Sequence, residues 1–142
     1  MAYNPQKTIS GSQGECWCDG DYLDNAFGLQ AKIKLTKQEV KMCKKMGKKY
    51  KVTGYEGSGT LKLSKRNSYM LKKLAKNLQQ GKTTVCQLIS KLDDPDVEGA
   101  ERIAIKDAMF DELELINWED NKIVEENIPF TFSEYEIYDF IE

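Results

Sequence analysis

Histidine is absent from this chain of 142 residues, which removes the commonest general base and the commonest metal-binding side chain of proteins. No apolar run approaches the roughly 20 residues that a membrane-spanning helix needs, so we expect no contact with a membrane. The first seven residues lack the apolar stretch of a signal peptide, which predicts retention in a cytoplasm unless a larger assembly carries the protein out. Internal repeats and linkers are also missing, and this favours a single domain over residues 1–142.

The four cysteines, Cys16, Cys18, Cys43 and Cys86, follow no metal-binding or disulfide pattern. A four-thiolate zinc site has paired Cys-x2-Cys spacings, whereas this chain has one Cys-x-Cys pair and two isolated cysteines. Disulfides are not expected in a chain without a secretory signal. We therefore predict no bound metal and interpret the cysteines as buried or half-buried thiols.

Motifs for nucleotide binding and catalysis are missing as well. Gly81-Lys82-Thr83 resembles the end of a phosphate-binding loop, but Lys76 occupies the position where that loop needs a glycine, and the preceding element is a predicted helix. Carboxylates are plentiful, yet no pair occupies a motif that predicts a raised pKa. We expect neither a cofactor nor an enzymatic activity.

One acidic cluster has two interpretations. Calcium-binding loops alternate their acidic ligands along the chain, and Pro95 breaks that alternation here. The default interpretation is a solvated loop or a surface that contacts another protein. The cluster consists of Asp93, Asp94, Asp96 and Glu98.

Charge is sorted along the chain by sign. Residues 1–92 contain 18 Lys/Arg and 6 Asp/Glu, a net charge of +12, whereas residues 93–142 contain 3 and 17, a net charge of −14. The sum is only −2. Two explanations stay open: the two halves neutralise each other within one fold, or the basic surface of one copy meets the acidic surface of the next. Head-to-tail contacts of the second kind generate rings or filaments.

The pattern of apolar residues predicts a mainly β fold with one α-helix, in the form of a small β-sandwich or a partly open barrel. A stripe of apolar residues followed by Gly81 predicts the helix over 67–80. Pro129 is expected at a sheet edge or a bulge. Residues 1–15 are predicted to form an extended arm that, with residues 134–142, becomes ordered only on assembly. Strands are predicted at 31–36, 61–64, 85–92, 102–110, 122–128 and 130–137.

Lysine dominates residues 32–51, which contain nine lysines and one acidic residue, Glu39. Such a stretch resembles a phosphate-binding surface, but it has no arginine for bidentate base contacts and only Tyr50 for stacking. Sequence-specific reading of nucleic acid is therefore not expected. Two hypotheses remain: residues 40–51 form a long exposed loop that docks on an acidic neighbour, or the chain is a soluble nucleic-acid-binding module that uses the same lysines.

Several segments occur together in a characteristic order. They are Thr8-Ile9-Ser10-Gly11, Gly14-Glu15, Asp19-Gly20, Met46-Gly47-Lys48-Lys49, the run 53–61, the capped helix, Glu101-Arg102-Ile103, Phe110-Asp111 and the run 128–132. Their order and spacing resemble those of the tail tube proteins of contractile-tailed bacteriophages. The resemblance is greatest to the type found in PBSX-like prophages and phage-tail-like bacteriocins. The resemblance extends over essentially the whole chain.

The resemblance implies a structural protein of a virion or tail-like particle. Proteins of that family form hexameric rings in which each subunit adds strands to a continuous β-barrel. The rings stack into the inner tube of a contractile tail, which is a channel for DNA or ions. Implied partners are further copies of the chain, tail sheath, baseplate, tape-measure and tail terminator proteins, with DNA only as passing cargo. Both a DNA-carrying phage and a DNA-free bacteriocin fit these expectations.

Three groups of residues follow as candidates for these contacts. The family's inter-ring loop falls by position on residues 42–55, and its candidate contact residues are Lys41, Lys44, Lys45, Met46, Gly47, Lys48, Lys49, Tyr50 and Lys51. The acidic cluster at residues 93–98 is the candidate docking surface for that loop. Alternation along the strands gives the channel-facing candidates Lys32, Lys34, Thr36, Gln38, Arg102 and Lys106. A partly basic channel requires either acidic residues on other strands or a tube without DNA.

Overall fold

A computed structural model describes residues 4–44 and 46–141, and it confirms a mainly β fold with one α-helix. The helix α1 spans Tyr69–Gln79 and confirms the prediction over 67–80 to within two residues at its start. Two short 3-10 helices, Pro5–Lys7 and Gly11–Gln13, precede the first strand. The strands are β1 (Gly14–Cys18), β2 (Asp21–Tyr22), β3 (Ala26–Val40), β4 (Lys49–Ser64), β5 (Cys86–Leu92), β6 (Glu101–Phe110), β7 (Glu125–Phe132) and β8 (Glu134–Asp139).

All paired strands are antiparallel and follow the spatial order β2-β1-β5-β6-β7-β4-β3, with β8 pairing with β6 beside β7. The strands β1 and β4 are far apart in this order, yet their side chains share one buried core, so the sheet must curl. The core lies between the two halves of the curled sheet and α1. Its members are Cys16, Cys18, Leu23, Leu61, Leu63, Met70, Leu74, Cys86, Leu88, Ile105, Ala108, Ile128, Phe130 and Phe132.

The corner of the sheet lies where β7 continues into β8. Asp107 of β6 adopts a left-handed conformation with φ of +55°, and the Ser133 hydroxyl donates a hydrogen bond to its carboxylate at 3.3 Å. The break between the last two strands therefore falls at Ser133 and not, as predicted, at Pro129. Pro129 occupies the internal strand β7, where its carbonyl accepts from the Asp111 N–H at 2.8 Å just beyond the end of β6. Because β6 ends at Phe110, opposite Phe130, Pro129 lies beyond the described pairing of β6 with β7.

The predicted loop in the lysine-rich stretch is shorter in the structure than expected. Residues 49–55, assigned to a loop over 42–55, belong to β4 and pair with the end of β3, so the connection is confined to residues 41–48. The prediction was wrong because lysines on both faces hid the alternation of the strand formers Tyr50 and Val52. A register shift after Thr36 leaves Thr53 outside the residue-by-residue pairing, although its hydroxyl donates to the Thr36 carbonyl at 3.3 Å, and this shift interrupts the pattern again. β3 and β4 thus form one hairpin of 15 and 16 residues.

The N-terminal arm is attached to the fold by Asp94. This side chain is only 5% exposed, and its carboxylate accepts hydrogen bonds from the backbone N–H groups of Ser10 at 2.9 Å and Asp96 at 3.0 Å. Lys7 adds a bond from its Nζ to the Asp96 carbonyl at 3.0 Å. The expectation that the arm and residues 134–142 become ordered only on assembly is therefore wrong for residues 4–15 and for β8.

Removing the Asp94 carboxylate is expected to release the arm. The Ser10 N–H, followed by the Asp96 N–H, holds the pKa of Asp94 below its usual range. The folded state then binds fewer protons than the unfolded state, so the stabilisation is complete above the usual Asp pKa and is lost as the pH falls through the lowered value. In Asp94→Ala, the Ser10 amide should exchange about tenfold faster at pH 7 in hydrogen-exchange NMR. The exposed Asp93→Ala is the control, and unchanged Ser10 protection in Asp94→Ala would contradict the prediction.

In the described residues, no helix is both long and apolar enough to cross a membrane.

Candidate assembly surface

The β3–β4 hairpin extends beyond the core and continues its apolar face into solvent. Leu61 and Leu63 on β4 are buried at 0% and 2% exposure, and alternation places Gly59, Gly57 and Tyr55 on the same face. Beyond the core this face carries exposed side chains from both strands. They are Ile33, Leu35, Tyr50, Val52 and Tyr55, each between 40% and 59% exposed. We call them the apolar face of the hairpin.

The opposite face of the hairpin is polar. Cross-strand pairs on this face join Lys32 to Ser58, Lys34 to Glu56 and Thr36 to Gly54. Gln38 follows by alternation on β3 and pairs with Lys51. The predicted channel-facing residues of β3 therefore do share one face, which we call the polar face, while their orientation toward a channel stays a prediction.

The other two channel candidates, Arg102 and Lys106, lie on β6 and form ion pairs with β8. Arg102 Nε is 3.3 Å from Asp139 Oδ2, and Lys106 Nζ is 2.8 Å from Glu136 Oε2. The bond to Glu136 is also the main reason why the pKa of Lys106 is raised. β8 thus supplies acidic residues directly beside the basic ones of β6.

The hairpin tip, residues 41–48, gathers most of the predicted contact residues of the inter-ring loop. Its described residues are exposed, and Met46 is the most exposed large apolar side chain in the described part of the chain. Lys44 adopts a left-handed conformation with φ of +61°. Lys49, Tyr50 and Lys51, predicted to lie in this loop, are at the start of β4 instead. Lys45 falls outside the described residues.

The predicted acidic docking surface is partly unavailable. Asp93, Asp96 and Glu98 are exposed in the β5–β6 connection, but Asp94 is buried and its carboxylate already accepts two backbone hydrogen bonds. The prediction that Asp94 offers charge to another protein is therefore wrong. A periodicity argument does not reveal this, because the donor at Ser10 lies 84 residues away in the sequence.

Cys16, Cys18 and Cys86 are buried, which confirms their interpretation as buried thiols. Cys43 is exposed in the hairpin tip, so the same interpretation was wrong for this residue. Burial raises the pKa of Cys16 to about 12. A hydrogen bond with the Cys86 thiol, opposed by burial and assisted by Lys73, holds the pKa of Cys18 below its usual value. Under native conditions Cys43 is thus the accessible thiol of the described residues.

A polar cluster connects β1, α1 and β5. Within the described residues, the one group of three potential metal ligands is Cys18, Asp19 and Cys86, whose ligand atoms lie within 4.8 Å of one another. The Asp19 carboxylate already accepts from the Gln87 N–H at 2.7 Å and pairs with Lys73 Nζ at 2.5 Å. Burial opposes ionisation of Asp19, but these two contacts outweigh it and lower its pKa. The cluster therefore acts as a structural tie between the helix and the sheet.

Between β6 and β7 lies an exposed apolar group that the sequence pattern did not predict. Leu115, Ile116, Trp118 and Ile123 are 66% to 81% exposed within an otherwise acidic connection. The sequence feature that could have revealed this group is a run of large apolar residues without the periodicity of a helix or a strand. No core position explains such residues, so they indicate a contact surface.

An antiparallel β domain with exposed apolar surfaces and an unpaired edge on β3 has the features of a protein that associates with other chains. The sequence matches the phage tail tube protein family over residues 1–139, and the chain belongs to that family. The PBSX protein XkdM of Bacillus subtilis (strain 168) is 29% identical over 139 residues, which cover 96% of this chain and 95% of that protein.

Two solved structures have the same fold. The tube terminating cap of the anti-feeding prophage has a TM-score of 0.73 at 12% identity and covers 97% of this chain and 95% of its own. A chain from the extended PVC sheath–tube complex, an extracellular contractile injection system, has a TM-score of 0.75 at 8% identity, with 94% and 93% covered. The family match and the XkdM relative confirm the resemblance to tail tube proteins and the tail tube role. The two structures confirm the fold class.

Proposed function

We propose that six copies of this tail tube protein close into a ring and that such rings stack into the inner tube of a contractile tail or tail-like particle. The observation that carries the proposal is the two-faced hairpin: one apolar and one polar face, both exposed, on a pair of strands that extends beyond the core. A monomer gains nothing from an exposed apolar face, whereas an interface removes that area from water at about 25 cal/mol per Å².

Ring closure accounts for the apolar face. The outer edge of β3 has no strand partner among the described residues, and an unpaired edge of 15 residues is a template for another chain. Pairing hairpins around a ring covers that edge and places each apolar face against the neighbouring subunit. The same closure turns the polar face inward, as a small barrel needs alternate residues on its two sides.

The channel wall in this arrangement carries both signs of charge. Lys32 and Lys34 contribute positive charge, with Glu56 opposite Lys34, and β8 adds Glu134 and Glu136 beside Lys106 of β6. Acidic residues on other strands thus offset the basic ones of β3. A mixed wall holds a passing polyanion less tightly than a uniformly basic one, because fewer phosphates are neutralised.

The family and the neighbouring structures support a wider assembly around the tube. The protein is a component of a tail-like particle, and the solved neighbours come from a sheath–tube complex and a tube cap. The corresponding partners here are a tail sheath around the tube, baseplate and tape-measure proteins, and a terminator at the far end. The role of the chain in this assembly is architectural, with no catalytic step.

Negative-stain electron microscopy of the purified protein at high concentration tests the proposal, with sedimentation as a second readout. The expected result is hollow rings or tubes with sixfold end views. Preassembled tube fragments serve as seeds in a parallel sample, because growth of a tube can require a starting ring. A species that stays monomeric with and without seeds, at all concentrations, would overturn the proposed function.

A further inference from the structure

The connection between β6 and β7, residues 111–124, carries charged and apolar side chains that are mostly exposed. We call it the acidic loop. It contains five acidic residues and one lysine, a net charge of −4. Leu115, Ile116, Trp118 and Ile123 are exposed within it, and only Leu113 packs against the core. Four large apolar side chains exposed in one loop are costly in water, which favours a contact with another molecule at this loop.

The hairpin tip has the complementary composition. Residues 41–48 contain four lysines and no acidic residue, a net charge of +4, together with Met42 and Met46. Both methionines are exposed, at 50% and 104%. Methionine side chains are flexible and make favourable sulfur–aromatic contacts, which suits a partner surface that presents Trp118. Charge of equal size and opposite sign, with apolar side chains on both surfaces, favours docking of one on the other.

The two surfaces lie at opposite ends of the hairpin. The acidic loop ends beside the base of β4, where the Lys65 N–H donates to the Val124 carbonyl at 2.8 Å and Glu125 pairs with Ser64. The tip adjoins Lys49, at the other end of β4. Fifteen steps of about 3.3 Å separate Lys49 from Ser64, a distance of roughly 50 Å. A tip therefore cannot reach the end of the acidic loop in its own subunit, and a contact between the two surfaces requires a second copy.

The loop at residues 93–98 is a weaker acceptor. Asp94 is buried there and Lys7 hydrogen-bonds the Asp96 carbonyl. Its large apolar content is also low, with a half-buried Val97 and no aromatic side chain. The acidic loop offers more exposed apolar area than this alternative, and its net charge of −4 remains after Lys122 pairs with Glu119 at 3.1 Å.

We propose that the hairpin tip of one subunit docks on the acidic loop of a subunit in the next ring, with Met42 and Met46 against Trp118 and lysines against the surrounding carboxylates. The proposal rests on the proposed function and specifies the contact that stacks its rings. Because the contact is heterologous, it continues along a tube and gives it one polarity. The sorting of charge along the sequence then reflects contacts between copies at this surface.

Cross-linking through Cys43 tests the contact directly. Cys43 lies in the tip and is exposed, and Asn117→Cys adds a thiol to the acidic loop. Treatment of assembled tubes with a short bismaleimide should give a ladder of covalent multimers on denaturing gels. Glu98→Cys is the matched control and should give no more multimer than the unsubstituted protein. Adding Cys43→Ser to Asn117→Cys should abolish the ladder.

The outcomes separate the two proposals. Tubes that form normally but show no ladder with Asn117→Cys, or an equal ladder with Glu98→Cys, would overturn the docking site while leaving the tube function intact. Failure of the unsubstituted protein to form seeded tubes would overturn both.

A charge exchange provides a second, independent readout. Reversal of the acidic loop by Glu112→Lys, Glu119→Lys and Asp120→Lys should reduce pelleted tube at least tenfold, and combination with Lys41→Glu, Lys44→Glu and Lys48→Glu should restore it. The monomer should keep its circular dichroism spectrum throughout, since all these side chains are exposed. Full assembly of the acidic-loop variant alone, or no recovery in the combined variant, would contradict the proposed pairing.

Discussion

The variant Gly59→Ala is expected to lose about 3 kcal/mol or more of unfolding free energy, a large part of the 5–15 kcal/mol that stabilises a typical domain. A Cβ at residue 59 would lie 2.1 Å from the Gln30 carbonyl oxygen and 3.0 Å from the Ala31 Cα, both backbone atoms of β3. It would also lie 2.6 Å from the Phe130 ring, which is 1% exposed. Neither neighbour can move without separating β3 from β4 or displacing the core.

Two other glycines of β4 allow the expected loss of stability to be compared with the space around each glycine. At Gly57 the three atoms nearest to the added Cβ all belong to the Phe132 ring, the first at 2.5 Å, so the closest clash is with a side chain and not with backbone. At Gly54 nothing lies within 4 Å. Urea denaturation should therefore rank the three alanine variants as Gly59, Gly57 and Gly54 in decreasing loss of stability. Gly54→Ala should stay within about 0.5 kcal/mol of the unsubstituted protein. An unfolding midpoint for Gly59→Ala equal to that of Gly54→Ala would show that the strands are not packed as described.

These glycines also show which parts of the fold the sequence could predict. The run 53–61 predicts either a tight turn or close backbone packing, and the structure has close packing within a continuous strand. The choice between the two depended on Phe130 and Phe132, whose rings cover Gly59 and Gly57 from β7. Long-range contacts of this kind leave no local pattern. The helix, in contrast, was predictable because its apolar spacing and Gly81 are local features.

The candidate site was predictable to the extent that it depends on alternation and charge. Lys32, Lys34, Thr36 and Gln38 share a face because the period of a strand is two. The length of the hairpin was not predictable, since the exposed end of β4 carries lysines where a core strand would show apolar residues. Asp94 was misassigned for a similar reason: its burial depends on the arm folding back onto it.

The separation of basic and acidic residues along the sequence corresponds to different parts of the fold. The basic half of the chain includes the hairpin, the tip and α1, whereas the acidic half includes the β5–β6 connection, the acidic loop and β8. Within one subunit, β6 and β8 neutralise each other locally through their ion pairs. The tip and the end of the acidic loop cannot do so, because the length of the hairpin separates them. Their charges are available for contacts between copies.

The variant Leu35→Asp is expected to abolish tube formation while leaving the monomer folded. Leu35 is 47% exposed and lies on the apolar face opposite Tyr55, so the monomer should lose less than about 1 kcal/mol. In the proposed ring of six the aspartate would be buried among apolar side chains at each interface, and a buried charge costs several kcal/mol unless it is well paired and hydrogen-bonded. The concentration needed for assembly should rise more than about 100-fold, since each 1.4 kcal/mol of lost association free energy is a factor of ten.

The adjacent residue supplies the matched control. Thr36→Asp introduces the same side chain one residue further along β3, where alternation places it on the polar face. If that face lines a water-filled channel, the carboxylate stays solvated and Thr36→Asp should pellet as tubes at concentrations close to those of the unsubstituted protein. Sedimentation of both variants across a concentration series makes the comparison, with circular dichroism to verify folding. Loss of assembly in Thr36→Asp but not in Leu35→Asp would reverse the assignment of the two faces, and equal behaviour of the variants would show that ring closure does not distinguish them.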